Sequence, residues 1–294
     1  MALNLPNGSV NREKVVQLID LRKWKEASAE AERWISSEPS NAEAYATLAQ
    51  INLKQNQFEQ AHNWTNQALR YDPENVLAWY VRVFAYYCES KEQEFFEAVT
   101  VALRIDPSQS LYYFLRFNIY HKKGNRMEAE AEMLKALEIN PDAPLYLAAY
   151  SYLQASQGEL VQSRISERQA LRIHSSDSQV FIYLAWAAEL RAEDEKETEY
   201  FKNAVRLNPQ NNQIREEYLK SLQKNDRFYR MLLMPSSLKN IKPTYFIISW
   251  FLAWIFFKPL VFVFIALYVL AHWTSKLLVQ VKVFGWRNIF KSSS

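Results

Sequence analysis

Hydrophobic and polar positions follow the spacing of amphipathic helices along most of the chain. In one segment Trp79, Val83 and Tyr86 succeed one another at intervals of four and three residues, and the stem of Arg82 falls on the same stripe. This spacing places apolar side chains on one face of a helix. The pattern therefore predicts a series of helices, and only 4 glycines in the whole chain leave little room for β-hairpins.

The helical pattern recurs every 34 residues. The interval separates, in order, Pro39, Pro73, Pro107, Pro141, Ser175 and Pro209. It also separates the segments ALRYDP, ALRIDP, ALEINP, ALRIHS and AVRLNP. A fixed period of this length is typical of proteins built from stacked structural repeats.

Each repeated position has a physical reason. The small residues of the repeat permit a close approach of two helices, and they are Ala68, Ala102, Ala136, Ala170 and Ala204. The next position in each repeat is large and apolar, which suits a core. A proline disfavours the helical conformation of the residue before it. We therefore expect helices to end at Asp72, Asp106, Asn140 and Asn208.

These positions resemble the tetratricopeptide repeat (TPR) family. The second repeat supplies the family residues Tyr45, Leu48, Ala49, Ala61, Ala68 and Pro73, and the fourth supplies Tyr113, Tyr120, Gly124, Ala129, Ala136 and Pro141. Three positions depart from the pattern, because Asn52 replaces an aromatic residue, Phe95 a small residue and Ser175 a proline. The resemblance implies an all-α, right-handed superhelical solenoid of about six repeats, closed by a capping helix.

The predicted organisation has five parts. They are an N-terminal extension (1–7), six TPR repeats (8–211), a capping helix and linker (212–240), a membrane-associated hydrophobic hairpin (241–275) and a basic amphipathic tail (276–294).

The resemblance also implies a concave groove lined by four positions of each first helix. The candidate partner-binding residues are Leu77, Tyr80, Phe84, Tyr87, Leu111, Phe114, Asn118, Tyr152, Ile182 and Trp186. Aromatic side chains are effective anchors for a bound helix or extended peptide. The alternative is that these rings pack between neighbouring helices or against the chain's own C-terminal segment. A basic clamp for a terminal carboxylate is missing, since the corresponding positions hold Ala46, Gln50, Tyr80, Phe84, Phe114 and Asn118.

Residues 244–271 are strongly apolar but contain Lys258 and Pro259 near the middle. One continuous helix of this length would measure about 42 Å against a hydrocarbon core of about 30 Å, and would place the ammonium near the midplane. A turn at Lys258 and Pro259 removes both problems and keeps the basic flanks on one side. We therefore predict a helical hairpin, with a single kinked span and a soluble hydrophobic helix pair as alternatives.

A second resemblance concerns the whole plan. The segment NPQNNQIREEYLKSLQKNDRFYRMLL and the later FGW are similar to those of bacterial TPR proteins that end in a paired hydrophobic segment. The tail KLLVQVKVFGWRNIFK mixes apolar and basic residues, which is typical of a segment lying along a membrane interface.

Composition and motifs argue against catalysis. A net charge of +3 is too small to indicate nucleic-acid binding. The chain has no phosphate-binding loop, nucleophile elbow or zinc-protease motif, and its 4 histidines lack metal-site spacing. Cys88, the single cysteine, is expected to be buried or half-buried. We predict no enzyme activity, cofactor, metal or small-molecule substrate.

The sequence favours a membrane-anchored scaffold that binds a protein or peptide partner in an aromatic groove. The alternative is a structural subunit of a membrane complex whose main contact is the hairpin. The N-terminus lacks the features of a secretory signal. We therefore expect a membrane location, specifically the bacterial inner membrane, with the TPR repeats facing the cytoplasm and with membrane lipid as a further partner.

Overall fold

The computed structural model describes residues 7–225, residue 251 and residues 262–274, with side chains from residue 12 onward. Within these ranges the regular elements are helices, and no strand is present. The predicted all-α class is therefore confirmed for the described part of the chain. The described residues up to Asn140 form one compact unit, and those from Pro141 onward form a second.

Unit 1 consists of four helix pairs. Its helices are α1 (Asn7–Asp20), α2 (Trp24–Ser37), α3 (Ala42–Lys54), α4 (Phe58–Tyr71), α5 (Val76–Cys88), α6 (Glu92–Ile105), α7 (Ser110–Lys122) and α8 (Arg126–Ile139). The two helices of each pair pack on one another, and α3 also packs on α5.

Unit 2 continues the same arrangement with two further pairs and one more helix. Its helices are α9 (Pro144–Ser156), α10 (Leu160–Arg172), α11 (Ser178–Leu190), α12 (Asp194–Leu207) and α13 (Asn212–Asn225). The first helices α9 and α11 pack together, and α13 packs on α12. Residues 262–274 are also helical.

The 34-residue period of the sequence is reproduced by the helices. From α3 onward, the first helix of each pair begins 34 residues after the previous one. The turn inside each pair contains a residue in the left-handed region, with φ between 55° and 86°. These residues are Arg22, Asn56, Ser90, Gly124, Gly158 and Ala192. Glycine adopts this conformation without a steric penalty, whereas other residues incur one.

The repeated alanines occupy the predicted packing positions. Ala68, Ala102, Ala136, Ala170 and Ala204 are all buried, with at most 2% of each residue exposed. Phe95, which departs from the repeat pattern, is also fully buried and belongs to a core cluster with Val83, Val99 and Tyr112. The larger side chain is therefore accommodated within the core of unit 1.

The helix ends follow the proline rule. Asp72, Asp106, Asn140 and Asn208 are the C-terminal caps of α4, α6, α8 and α12, as the sequence predicts. The opening of α5 is fixed by Asn75, whose side-chain oxygen accepts a hydrogen bond from the backbone N–H of Ala78. Such a cap satisfies one of the free N–H groups of the first turn.

Unit 2 contains a buried polar cluster centred on Arg191. The guanidinium donates hydrogen bonds to the Glu167 carboxylate and, at 2.6 Å, to the Ser163 hydroxyl. The Tyr200 hydroxyl donates to Glu167 at 2.9 Å. Ser151 and Ser163 donate reciprocally to each other's carbonyl oxygens, each at 2.8 Å. The cluster therefore joins α9, α10, α12 and the turn after α11.

Cys88 is exposed as the last residue of α5, so the prediction of a buried or half-buried thiol is wrong. Lys258 and Pro259, the predicted hairpin turn, lie outside the described residues. Among the helices in the described ranges, none combines the length and apolar character that crossing a membrane requires.

Candidate peptide-binding site

Unit 1 contains a cavity of about 580 Å³ formed largely by its first helices. It is lined by Arg12, Glu43, Gln50, Asp72, Glu74, Asn75, Val76, Leu77, Tyr80 and Gln109. Leu77 and Tyr80 were predicted from the sequence as groove residues, whereas the polar lining was not. The cavity lies within the size range of small-ligand and side-chain pockets in proteins.

The start of α5 positions the apolar part of this cavity. Because Asn75 fixes the first turn, Val76, Leu77 and Tyr80 follow within one turn of the helix. Val76 is 48% exposed, and Leu77 and Tyr80 are half-buried. The cavity therefore presents accessible apolar and aromatic surface beside polar groups.

The polar lining carries three carboxylates and one guanidinium. Arg12 Nε lies 3.4 Å from Glu43 Oε1, and Asn75 Nδ2 donates to Glu43 Oε2 at 3.4 Å. Asp72 accepts a hydrogen bond from the backbone N–H of Glu74 at 3.1 Å. Neither Asp72 nor Glu74 forms an ion pair with a described residue. The cavity is therefore acidic overall.

An aromatic row continues from the cavity along α5. The ring centroids of Tyr80 and Phe84 are 5.9 Å apart, those of Phe84 and Tyr87 6.2 Å, and those of Tyr87 and Phe95 5.8 Å. Burial raises the pKa of Tyr80 and of Tyr87, which keeps both phenols protonated at neutral pH. Rings at these distances stabilise one another's positions.

A smaller cavity of about 270 Å³ lies at the far end of this row. It is lined by Tyr86, Tyr87, Cys88, Ser90, Glu92, Phe95, Asn118, Ile119 and Lys122. Asn118 hydrogen-bonds the Tyr87 side chain. The structure therefore brings together the predicted groove residues Tyr87 and Asn118 on α5 and α7.

Two predicted residues of this region are less accessible than the groove hypothesis requires. Phe114 is only 5% exposed and packs against Phe117 at a centroid distance of 5.9 Å. Leu111 is half-buried and packs against the core cluster that contains Phe95. Phe114 therefore contributes to the core, while Tyr80, Phe84 and Tyr87 retain exposed surface.

Unit 2 contains a separate group of rings. Tyr152, Tyr183 and Trp186 form a triangle with centroid distances of 6.0, 5.6 and 5.5 Å. Tyr152 and Trp186 are half-buried, whereas Ile182 is only 7% exposed. The sequence pattern identified three of these four residues and missed Tyr183, whose position in the repeat does not belong to the groove set.

Metal-binding groups are not assembled in the described ranges. No three of their histidine, cysteine and carboxylate side chains are grouped in a way that could hold an ion. His62 Nε2 lies 2.6 Å from Glu89 Oε2, and burial lowers the pKa of His121. These histidines are therefore accounted for by local contacts in unit 1.

Comparison with family models identifies tetratricopeptide repeats at residues 18–82 and again at residues 112–143. These matches agree with the helix pairs of unit 1, so the chain contains TPR repeats. No protein of curated function matches the sequence.

Solved structures show the same fold at low identity. pilF of Pseudomonas aeruginosa is 15% identical, with a TM-score of 0.60 over 74% of this chain and 97% of that chain. PilW, described as a widely conserved type IV pilus biogenesis factor, is 16% identical, with a TM-score of 0.58 over 72% of this chain and 98% of that chain.

The likeness extends to a chain of a hetero-tetrameric assembly. A chain of the APC/C hetero-tetramer Cut9-Hcn1 is 14% identical, with a TM-score of 0.64 over 76% of this chain and 45% of that chain. At such identities the comparison establishes the fold alone. The described chain therefore contains TPR repeats within an all-helical repeat fold.

Proposed function

We propose that this protein is a non-catalytic, membrane-anchored scaffold that binds a segment of a partner protein in unit 1. The observation that carries the proposal is the cavity of about 580 Å³ beside Leu77 and Tyr80, which offers apolar, aromatic and acidic groups on one surface. A peptide is the expected ligand because an extended segment presents alternating side chains to such a surface.

The proposed binding mode uses the aromatic row as an anchor. Tyr80, Phe84 and Tyr87 are half-buried and their rings contact one another, so few rotamers remain to be lost on binding. Aromatic residues held in this way are frequent energetic hot spots of interfaces. The polar cavity lining then orients the bound segment through hydrogen bonds and charge.

A photo-crosslinking residue placed at Tyr80 tests the proposal. In cells expressing the full chain, it should capture a defined protein, and Phe84→Ala should remove that adduct. Met127, which is 84% exposed on α8, provides the matched control position. Equal adducts from positions 80 and 127, or adducts that survive Phe84→Ala, would contradict a binding site on α5.

The membrane part of the proposal rests on the C-terminal segment. Residues 244–271 are apolar in sequence, and the helix at 262–274 exposes Phe262, Phe264 and Leu270 by more than 60% each. Exposed apolar surface of this kind is unfavourable in water and marks an interaction site. We therefore propose that this segment inserts into a membrane as a hairpin turning at Lys258 and Pro259.

Cysteine accessibility distinguishes the hairpin from a single span. In a Cys88→Ser background, Lys239→Cys and Lys276→Cys are labelled with a membrane-impermeant maleimide in intact and in opened cells. A hairpin places both thiols on the cytoplasmic side, so both should react only after opening. Labelling of position 276 alone in intact cells would indicate one kinked span.

A second candidate function is favoured by the same exposed helix. Residues 262–274 could pack against transmembrane helices of other subunits, in which case the repeats act as a structural brace. Under that alternative, Tyr80→Ala together with Phe84→Ala leaves complex assembly intact, while substitutions within residues 262–274 disrupt it. The groove-binding function predicts the reverse: Tyr80→Ala together with Phe84→Ala disrupts assembly with the partner, while substitutions within residues 262–274 do not remove partner binding by the groove.

A further inference from the structure

The outer face of α10 is unlike the outer face of its neighbour α12. Val161, Ile165, Arg168 and Arg172 occur at spacings of four, three and four residues, which places them on one stripe of the helix. Val161 is 67% exposed and Ile165 38% exposed, and both arginines are exposed. This face therefore combines apolar and cationic side chains.

The flanks of the stripe have the same character. Leu160 and Leu171 are 37% and 44% exposed and lie to one side, next to Arg164. Arg164 is bound to Glu193 at 2.6 Å, so its charge is already compensated. Arg168 donates a hydrogen bond to the Arg164 carbonyl oxygen at 3.2 Å. Neither Arg168 nor Arg172 forms an ion pair with a described carboxylate.

The acidic residue of α10 does not reach this face. Glu167 is only 3% exposed and is held inward by Arg191 and Tyr200. The outer face of α12, by contrast, carries Glu195 and Glu199 followed by Lys202 and Arg206, all of them exposed. A mixed-sign face is an ordinary solvated surface, whereas the α10 face is cationic and apolar without a compensating acid.

We propose that the α10 face docks on an anionic lipid surface. Arginines attract the negative charge of anionic headgroups, and the exposed aliphatic side chains between them can enter the headgroup region. A single weak membrane signal gives only marginal attachment, while two signals together give stable attachment. The α10 face supplies a second contact, distinct from the apolar C-terminal segment, that would hold unit 2 against the bilayer.

The α10 face belongs to unit 2, whereas the proposed peptide-binding cavity lies in unit 1. An acidic protein or a second copy of the chain would be the other possible occupants of a cationic apolar face. The lipid surface is favoured because the cationic and apolar groups share one stripe of a single exposed helix, which is the arrangement of interfacial helices.

Vesicle flotation of the full chain tests the proposal. Binding is compared between vesicles of phosphatidylcholine alone and vesicles that also contain phosphatidylserine. Each basic residue near an anionic surface contributes on the order of a fivefold gain in affinity. Arg168→Glu with Arg172→Glu is therefore expected to weaken binding to the anionic vesicles by about 30-fold or more, and to leave binding to neutral vesicles unchanged.

The matched control is Lys202→Glu with Arg206→Glu on α12, which changes the net charge of the chain equally. This variant should retain nearly all of the anionic-vesicle affinity. If both variants lost the same anionic-vesicle affinity, the effect would come from the overall charge of the chain, and the proposal would be overturned. An unchanged vesicle affinity of the α10 variant would also overturn the proposal. If its oligomeric state changed at the same time, the face would be assigned to self-association.

Discussion

Arg191 donates a hydrogen bond to Glu167 where both side chains are almost completely removed from solvent. The first residue follows α11 and the second lies on α10, so the pair connects two consecutive helix pairs of unit 2. A buried ion pair adds little net stability compared with apolar residues of the same size, but removing one partner leaves an uncompensated charge. The pair therefore makes the packing of unit 2 dependent on both residues.

Replacing Arg191 should destabilise unit 2 severely. Arg191→Met removes the buried cation and leaves Glu167 with Lys196, whose partly exposed ammonium lies 3.0 Å from Glu167 Oε1. The loss should be about 3 kcal/mol, at the lower end of the range for a broken buried pair. Urea unfolding of the full chain, followed by circular dichroism, measures the loss. Arg164→Met provides the control, since this side chain is 47% exposed in its pair with Glu193. A partly exposed pair contributes about 0–1 kcal/mol, so similar losses in both variants would refute the argument.

Glu193 should make stability depend on acidity below neutral pH. Burial alone would raise the pKa of Glu193, but hydrogen bonds from Arg164 and Arg191 outweigh it and lower the pKa from 4.5 to about 2. A depressed folded-state pKa contributes stability above the unfolded-state pKa and loses it as the pH falls. The stability difference between the native chain and Glu193→Gln should be full at pH 7 and should vanish between pH 4.5 and about 2.

Urea midpoints of the two chains across this range provide the measurement. The comparison with Glu193→Gln cancels the acid sensitivity of other carboxylates. A difference that is independent of pH would show that the ion pairs of Glu193 do not contribute to stability.

Truncation of aromatic residues should separate packing from binding in unit 1. Phe114 is 5% exposed, so Phe114→Ala should lower the free energy of unfolding by about 3–5 kcal/mol. Tyr80 is half-buried, and Tyr80→Ala should cost less stability while removing partner capture by a crosslinking residue placed at Tyr87. Thermal unfolding and crosslinking yield are measured on the same preparations. Partner capture that depends on Phe114 and not on Tyr80 would reverse the assignment.

The cap of α5 should contribute measurably to stability and to the shape of the cavity. Asn75→Ala removes the hydrogen bond to the Ala78 N–H and should cost about 1 kcal/mol. Gln57, the residue before α4, makes no side-chain cap hydrogen bond, so Gln57→Ala should be nearly neutral. Chemical unfolding compares the two. If both variants changed the free energy of unfolding equally, the hydrogen bond of the Asn75 cap would not be the source of the effect.

The repeat positions made the helices predictable, while the details of the candidate site depend on contacts between segments that are distant in sequence. Proline spacing fixed the ends of α4, α6 and α8, because the conformational limit acts on the residue next to the proline. The predicted groove residues Leu77 and Tyr80 line a cavity, and their role in partner binding stays a prediction. The 34-residue repeat pattern predicts structure correctly where the determining contact is local in sequence.

The repeat pattern could not distinguish accessible aromatic side chains from buried ones. Phe114 and Tyr80 occupy equivalent positions in successive repeats, but Phe114 is 5% exposed and packs against Phe117, whereas Tyr80 is half-buried. The polar lining from Arg12 and Glu43 comes from two other helices and carries no motif. The inward direction of Glu167 likewise depends on Arg191, a residue that lies 24 positions away. Such features arise from contacts between distant segments.

The left-handed turns within the helix pairs have a practical consequence for protein engineering. Four of the six are formed by residues with a Cβ atom, namely Arg22, Asn56, Ser90 and Ala192. Glycine substitution at Ser90 or Ala192 relieves about 1–2 kcal/mol of steric strain, against an entropic cost of up to about 1 kcal/mol. These turns therefore offer a route to more heat-resistant variants for crystallisation that leaves the core, the acidic cavity and the α10 face untouched.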